Sequence, residues 1–195
     1  MKKQQTALRN LVLAGMFLAI GFVLPFLTGQ IQQIGNMLLP MHIPVLLCGL
    51  ICGWKYGLAV GFTLPLLRSL IFGMPPIYPT AFAMAFELAT YGFLVGFLFA
   101  RARWQCLLSL YRCLVLAMLG GRAVWGFVRM MTALIDIPAL SGGSFSFSLF
   151  LSGAFLEAIP GIILQLILIP SIMLALDRTH LVPFRRASRS VCEQA

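Results

Sequence analysis

The sequence predicts an all-α membrane protein, a six-helix transmembrane bundle with both termini on the cytoplasmic side. Hydrophobic residues make up 61% of the 195 residues and charged residues only 10%, and the mean hydropathy is +0.98. A soluble domain of this length cannot bury so much apolar surface. Apolar runs alternate with short polar segments along the whole chain, so we expect one integral membrane domain over residues 1–195.

Basic residues predict the orientation of the bundle. The formal net charge is +9, and lysines and arginines recur at the N-terminus, at Lys55, at Arg101 and Arg103, and in the tail. These positions fall on one side of a six-span bundle, and the intervening outer loops are almost free of them. The positive-inside rule then places both termini in the cytoplasm. Charge confined to short segments between spans also argues against a nucleic-acid partner.

Apolar length and chain breaks define the spans. A helix needs about 20 apolar residues to cross a bilayer. The predicted spans cover approximately 6–27, 40–52, 56–72, 80–100, 113–135 and 148–176. Pro25 ends or kinks the first span, which is too long for the core of a signal peptide and is predicted to be retained. Gly15 and Ala19 form a small-xxx-small face on it, suited to close helix packing.

The stretch from Leu38 to Pro79 contains the second and third spans, which are short and joined by a tight turn at Lys55. Glycines recur at 49, 53, 57 and 61, so this hairpin offers small surfaces to neighbouring helices. Broken helices beside proline and glycine loops are common at solute sites in membrane proteins, although an ordinary helical hairpin has the same features. After the fourth span, residues 101–112 either lie on the cytoplasmic surface or begin the fifth.

Ionisable residues inside spans are the candidate functional residues, because a charge at bilayer depth is costly unless it is paired or hydrated. They are Arg68, Glu87, Arg122, Arg129 and Glu157, joined by His42 near an outer helix end. Two interpretations stay open. Glu87 and Glu157 could pair with Arg122 and Arg129 to stabilise the bundle, or these side chains could line a cavity that holds a solute.

The solute interpretation rests on charge and on nearby aromatic residues. The spans contain three arginines and two carboxylates. This excess of positive charge suits an anionic solute, because guanidinium binds carboxylate bidentately. Tyr78, Tyr91 and Trp125 could supply walls for such a cavity, although each is also an ordinary packing residue.

Sequence motifs for nucleotide binding, hydrolysis and metal binding are absent. The chain contains no G-x-x-x-x-G-K-[ST], no H-E-x-x-H and no G-x-S-x-G, and its cysteines show no metal-ligand spacing. We therefore predict that the chain is not an enzyme, and we predict neither a catalytic residue nor a metal or other cofactor.

Three stretches carry a resemblance to a known family: residues 38–76, the segment GRAVWG at 121–126, and PGIILQLILIP at 160–170. The chain resembles the substrate-binding S components of energy-coupling factor (ECF) transporters, the vitamin-uptake branch of ABC transporters. This resemblance implies a multi-pass protein of the prokaryotic plasma membrane that captures a small vitamin-like solute at the outer face. It also implies partners, namely a transmembrane coupling subunit and two cytoplasmic ATPases, with Gly15 and Ala19 at the docking face.

The solute itself is not named by any short motif. The arginine excess favours a water-soluble acid such as pantothenate, while a neutral or cationic solute stays open. The alternative function is a self-contained secondary carrier or channel, which would favour internal repeats and an ion relay that this sequence does not show. A membrane enzyme or scaffold would need a reactive constellation that is also missing.

Overall fold

The computed structural model describes residues 2–27, 40–73, 75–102, 106–135 and 159–178, and helices dominate these ranges. The helices are α1 (Lys2–Leu27), α2 (His42–Cys52), α3 (Trp54–Phe72), α4 (Phe82–Arg101), α5 (Leu107–Ile135) and α6 (Ile159–Arg178). An irregular turn, Ile77–Ala81, leads into α4, with Tyr78 in an extended conformation. The predicted all-α architecture is confirmed.

Four helices in the described ranges have the length and composition to cross a membrane: Gln4–Phe26, Phe82–Arg101, Leu107–Thr132 and Pro160–Arg178. Because α5 begins at Leu107, the second half of the stretch 101–112 belongs to the fifth helix and not to a separate surface segment. The first residues of the predicted sixth span, 148–158, lie outside the described residues, as do the predicted outer loops 28–39 and 136–147 and the tail after 178.

Helix α2 is too short to cross a bilayer and is buried inside the bundle. Its 11 residues extend about 17 Å, roughly half of a hydrocarbon core of about 30 Å. All of its residues except Ile51 are buried, as expected of a helix that is apolar all round. Since Gly53 begins the turn on the predicted cytoplasmic side, the other end of α2, where His42 lies, is inside the apolar layer.

Two apolar clusters meet along α2 and α4, which are the central helices of the bundle. One cluster joins α2 and α4 to α5 and α6, with Leu46, Val95 and Leu114 among its buried members. The other joins the same two helices to α1 and α3, with Val45 and Leu64 among its members. The two faces of α2 therefore pack on opposite halves of the molecule, which explains its burial.

Glycines bring α2, α3 and α4 into backbone contact. A Cβ added at Gly49 would lie 2.6 Å from the carbonyl oxygen of Gly92, and one added at Gly57 would lie 2.7 Å from the same atom. A Cβ at Gly61 would collide with the carbonyl of Leu88. The predicted close approach is thus present at three of the four glycines. Gly53 differs, since its φ of 95° makes the α2–α3 turn.

Helix α1 lies at the edge of the bundle and is fastened near both ends by hydrogen bonds. Near its start, the Asn10 side chain donates to the carbonyl of Cys52 at 3.3 Å, and the Tyr56 hydroxyl donates to the carbonyl of Ala7 at 3.3 Å. Near its end, Arg68 donates to the carbonyl of Phe22 at 3.2 Å. Between these points α1 is mostly exposed: only 11% of the residues in its most apolar 18-residue segment are buried.

Replacing Gly92 with alanine should destabilise the bundle, because the added methyl group would meet the backbone of Gly57, which cannot move aside cheaply. Overpacking of this kind costs about 1–3 kcal/mol. Thermal unfolding of the purified protein in detergent should show a lower midpoint. Gly15→Ala is the matched control, because no atom lies within 4 Å of a Cβ at that position. Equal midpoints for the two variants would contradict the tight glycine interface.

Candidate functional site

Four of the predicted site residues meet inside the bundle. His42 from α2, Glu87 and Tyr91 from α4, and Arg122 from α5 are all buried, with the Arg122 side chain only 8% exposed. Polar side chains at such depth are expensive unless they satisfy one another. We call these four residues the Glu87 cluster.

The contacts of this cluster converge on one carboxylate oxygen. Glu87 Oε1 lies 3.2 Å from Arg122 Nη1 and accepts a hydrogen bond from the Tyr91 hydroxyl at 2.9 Å. His42 Nε2 lies 3.7 Å from the same oxygen, and the His42 and Tyr91 rings pack with centroids 5.0 Å apart. The expected pairing of Glu87 with Arg122 is therefore present, and it neutralises the Glu87 charge inside the bundle.

Local sequence explains how α5 delivers Arg122 to this point. A Cβ added at Gly121 would collide with the Tyr91 ring, so the absent side chain is what lets α5 approach α4 here. Tyr91 stands one helical turn after Glu87, which puts both side chains on the same face of α4. Gly121 thus removes the steric barrier between the two helices, and Arg122 beside it provides the cation.

With both termini on the predicted cytoplasmic side, the Glu87 cluster falls in the outer half of the membrane. Glu87 is about 21 Å along α4 from Arg101, which marks the predicted cytoplasmic end, and the hydrocarbon core is about 30 Å thick. His42 at the outer end of α2 lies at a similar depth. The cluster is therefore nearer the outer surface than the cytoplasm.

Several buried nitrogen atoms near the bundle centre make no hydrogen bond to any group in the described ranges. They are His42 Nδ1 and Nε2, Arg122 Nε and Nη2, and Gln165 Nε2. Arg122 thus uses one nitrogen on Glu87 and leaves its two others without an acceptor. Buried donors without partners cost about 1–3 kcal/mol each, so this region has unused capacity for acceptor oxygens.

The predicted site residues Trp125 and Arg129 follow Arg122 along α5, about one and two helical turns later. Both are half-buried, and the Arg129 guanidinium is 6.0 Å from the centroid of the Trp125 ring. Arg129 is two turns from Arg122 on the same face, displaced towards the outer surface. Tyr78 lies in the turn before α4 and is exposed.

Arg68 contacts α1 and does not join the Glu87 cluster. Its guanidinium donates to the Phe22 carbonyl and lies 5.5 Å from the centroid of the Phe26 ring and 5.7 Å from that of Phe72. Pro25 lacks an N–H and disturbs the preceding helical turn, and Phe22 belongs to that turn. Arg68 therefore ties α3 to the last turns of α1, next to Pro25.

Glu157 lies outside the described residues, so its expected pairing with Arg129 stays a prediction. Gly15 and Ala19, the predicted docking residues, are both exposed on α1. Metal chemistry finds no support in the described ranges, where no group of three or more histidine, cysteine, aspartate or glutamate residues could hold an ion.

A family model described as "ECF transporter, substrate-specific component" matches residues 9–173. The chain belongs to this family. The match covers every helix described above except the ends of α1 and α6. No curated protein and no solved structure gave a significant match to the chain.

Membership confirms several predictions from the sequence. An S component is a non-enzymatic, multi-pass subunit of the cell membrane, and it acts with an energy-coupling module. The role of a substrate-specific subunit is thereby favoured over that of a self-contained carrier or channel. The family match does not name a solute, and it assigns no role to individual residues of the Glu87 cluster.

Gln165 was not among the predicted site residues, although it is polar and buried like the residues of the Glu87 cluster and has an unpartnered nitrogen. Its side chain is 1% exposed on α6, a helix that contacts α2 and α5. The candidate residues were ionisable residues inside spans, and an uncharged amide does not meet that criterion. Its signal in the sequence is its position as the only amide between Ile159 and Arg178.

Replacing Arg68 with alanine should lower the thermal unfolding midpoint while leaving solute affinity unchanged in the folded fraction. The variant loses a charge-assisted hydrogen bond, worth about 1.5–3 kcal/mol, together with two ring contacts. Arg68→Lys should recover only part of the loss, because an ammonium group is not planar. Arg112→Ala, an exposed arginine on α5, is the control. Loss of solute binding at an unchanged midpoint would instead return Arg68 to the binding site.

Proposed function

We propose that this S component captures a small water-soluble acid, a vitamin or vitamin precursor such as pantothenate, at the Glu87 cluster. The solute enters from the outer side and is delivered inward with an ATP-driven coupling module. His42, Arg122 and the buried Gln165 on α6 donate to its oxygen atoms, and Glu87, which accepts the Tyr91 hydroxyl, holds Arg122 in place.

The observation that carries this proposal is the set of buried nitrogen atoms without an acceptor, on His42, Arg122 and Gln165. The Arg122 atoms and Gln165 Nε2 carry hydrogens, and a neutral imidazole carries one more. A solute with a carboxylate and further oxygens would satisfy these donors while Glu87 keeps its contacts with Tyr91 and Arg122. The free energy lost by burying unpartnered donors would then be recovered on binding.

Charge supports an acid over a neutral solute. Arg122 and Arg129 share a face of α5, and Glu87 is the one carboxylate that contacts this face in the described ranges. Arg68 contacts α1 instead, so it adds no positive charge to this face of α5. Among the described residues, one positive charge therefore remains on this face, beside the half-buried Trp125, a ring that could cover the apolar part of a solute.

The coupling module proposed here comprises a transmembrane coupling subunit and two cytoplasmic ATPases. The exposed face of α1 that contains Gly15 and Ala19 supports docking at this position, because it leaves open space beside the backbone. Large apolar side chains flank it, including Met16, which is 55% exposed, and Ile20, which is 43% exposed. A partner helix could approach this small-residue face closely.

Replacing Arg122 with glutamine should weaken acid binding roughly 10- to 100-fold, the equivalent of one or two charge-assisted hydrogen bonds. Titration calorimetry in detergent with pantothenate, biotin and nicotinate would measure this affinity. Each acid is compared with a neutral counterpart, such as the alcohol in place of the carboxylate. Preference for the acid should largely disappear in Arg122→Gln.

Two further variants make this test specific. Arg122→Lys keeps the charge but loses the planar fork, so it should bind the acid with intermediate affinity. Arg112→Gln removes an exposed charge from the same helix and should bind like the parent protein. Equal affinity for acids and neutral counterparts in the parent protein would overturn the acid assignment, and unchanged binding in Arg122→Gln would overturn the site.

Leucine at Gly15 or at Ala19 should abolish uptake into cells while solute binding to the purified subunit stays unchanged. A large side chain there blocks the approach of a partner helix on a face that is exposed at both positions, and no atom lies within 4 Å of a Cβ at Gly15. Leucine substitution should also prevent co-purification of the coupling subunits. Met16→Leu, on the same helix, is the conservative control. Lost solute binding in the leucine variants would refute the docking assignment.

A further inference from the structure

A ladder of aromatic rings flanked by two cations lies where α3 begins and α4 ends. The Trp54 and Phe93 rings meet edge to face with centroids 5.6 Å apart, and Phe93 and Phe97 stack with centroids 5.6 Å apart. Lys55 Nζ lies 5.5 Å from the centroid of the Trp54 ring. At the other end, Arg101 Cζ lies 5.5 Å from that of Phe97. We call these five residues the aromatic ladder.

The packing of the two helices builds this ladder. A Cβ added at Gly96 would lie 2.7 Å from the backbone nitrogen of Trp54 and 2.8 Å from its Cα. The start of α3 therefore rests directly on α4, which brings the Trp54 side chain to Phe93. Phe93, Phe97 and Arg101 follow at intervals of four on one face of α4. The ladder is thus a fixed surface joining two helices.

Both cations lie where α3 begins and α4 ends and lack a carboxylate partner in the described ranges. The ion pairs of Glu87, with His42 and Arg122, lie elsewhere, more than three helical turns along α4 from Arg101. Lys55 and Arg101 are exposed, and Trp54 is 38% exposed. An aromatic ring beneath a cation positions it but accepts no conventional hydrogen bond, so the N–H donors of both residues stay available.

We propose that the aromatic ladder is a binding site for an anionic phospholipid of the cytoplasmic leaflet. The lipid phosphate lies against Lys55 and Arg101, and its glycerol and upper acyl chain lie along Trp54, Phe93 and Phe97. The amphipathic ring of Trp54 favours the headgroup level of a membrane, and basic residues at the cytoplasmic surface attract anionic lipids. A phosphodiester with an apolar chain satisfies both parts of the surface, whereas a soluble phosphate satisfies only the cations.

Native mass spectrometry of the full-length subunit would measure this site. The protein is titrated in detergent with phosphatidylglycerol and, separately, with phosphatidylcholine of the same acyl chains. We expect preferential retention of phosphatidylglycerol. The double variant Lys55→Gln/Arg101→Gln should bind it about tenfold more weakly or worse, while Lys55→Arg should bind it like the parent protein. Phe97→Leu should also weaken binding, because the ring that positions Arg101 is lost.

Arg112→Gln is the matched control, since it removes an exposed cation near the cytoplasmic end of α5 without altering the ladder. If Arg112→Gln weakens lipid binding as much as Phe97→Leu does, binding reflects diffuse charge and the proposal is overturned. Displacement of the lipid by millimolar glycerol 3-phosphate would overturn the lipid assignment in favour of a soluble phosphate. Unchanged lipid affinity in the double variant, with loss of co-purifying coupling subunits, would assign the surface to a protein partner instead.

Discussion

The buried carboxylate of Glu87 is the constraint on which the centre of the bundle depends. A charge at this depth must be compensated, and Arg122 is the cation that contacts it. That contact requires α5 to lie against α4, which Gly121 permits by leaving space for the Tyr91 ring. The position of α2 then brings His42 to the same carboxylate. Four side chains from three helices are thereby fixed relative to one another before any solute arrives.

Close backbone packing on a neighbouring face of α4 supports this arrangement. Gly92 and Leu88, each one residue after a cluster residue, contact α3 at the backbone level, so α4 cannot shift without separating two helices. The short α2 fills the space between the two halves and contributes to both apolar clusters. A rigid α4 matters because the hydrogen bond from Tyr91 to Glu87 and the ion pair to Arg122 both depend on where this helix stands.

Much of the architecture could be predicted because it depends on patterns along the chain. Apolar runs predicted the helices, and glycine spacing predicted that the α2–α3 hairpin offers small surfaces to its neighbours. The Glu87–Arg122 pair was also expected, as one of two open interpretations. The position of Arg68 was not. Which neighbour a helix face meets is decided by packing, and no spacing within α3 shows that the turn of α1 before Pro25 lies beside Arg68.

The two interpretations of the intramembrane charges are compatible once individual atoms are counted. Glu87 neutralises Arg122 through one nitrogen of the guanidinium, and that contact stabilises the bundle. The remaining nitrogens of the same group have no acceptor in the described ranges, and these are the atoms that a solute can use. A single arginine can therefore hold two helices together and recognise a carboxylate. Because Glu87 already fixes the position of Arg122, binding of the proposed acid would lose little conformational entropy at this side chain.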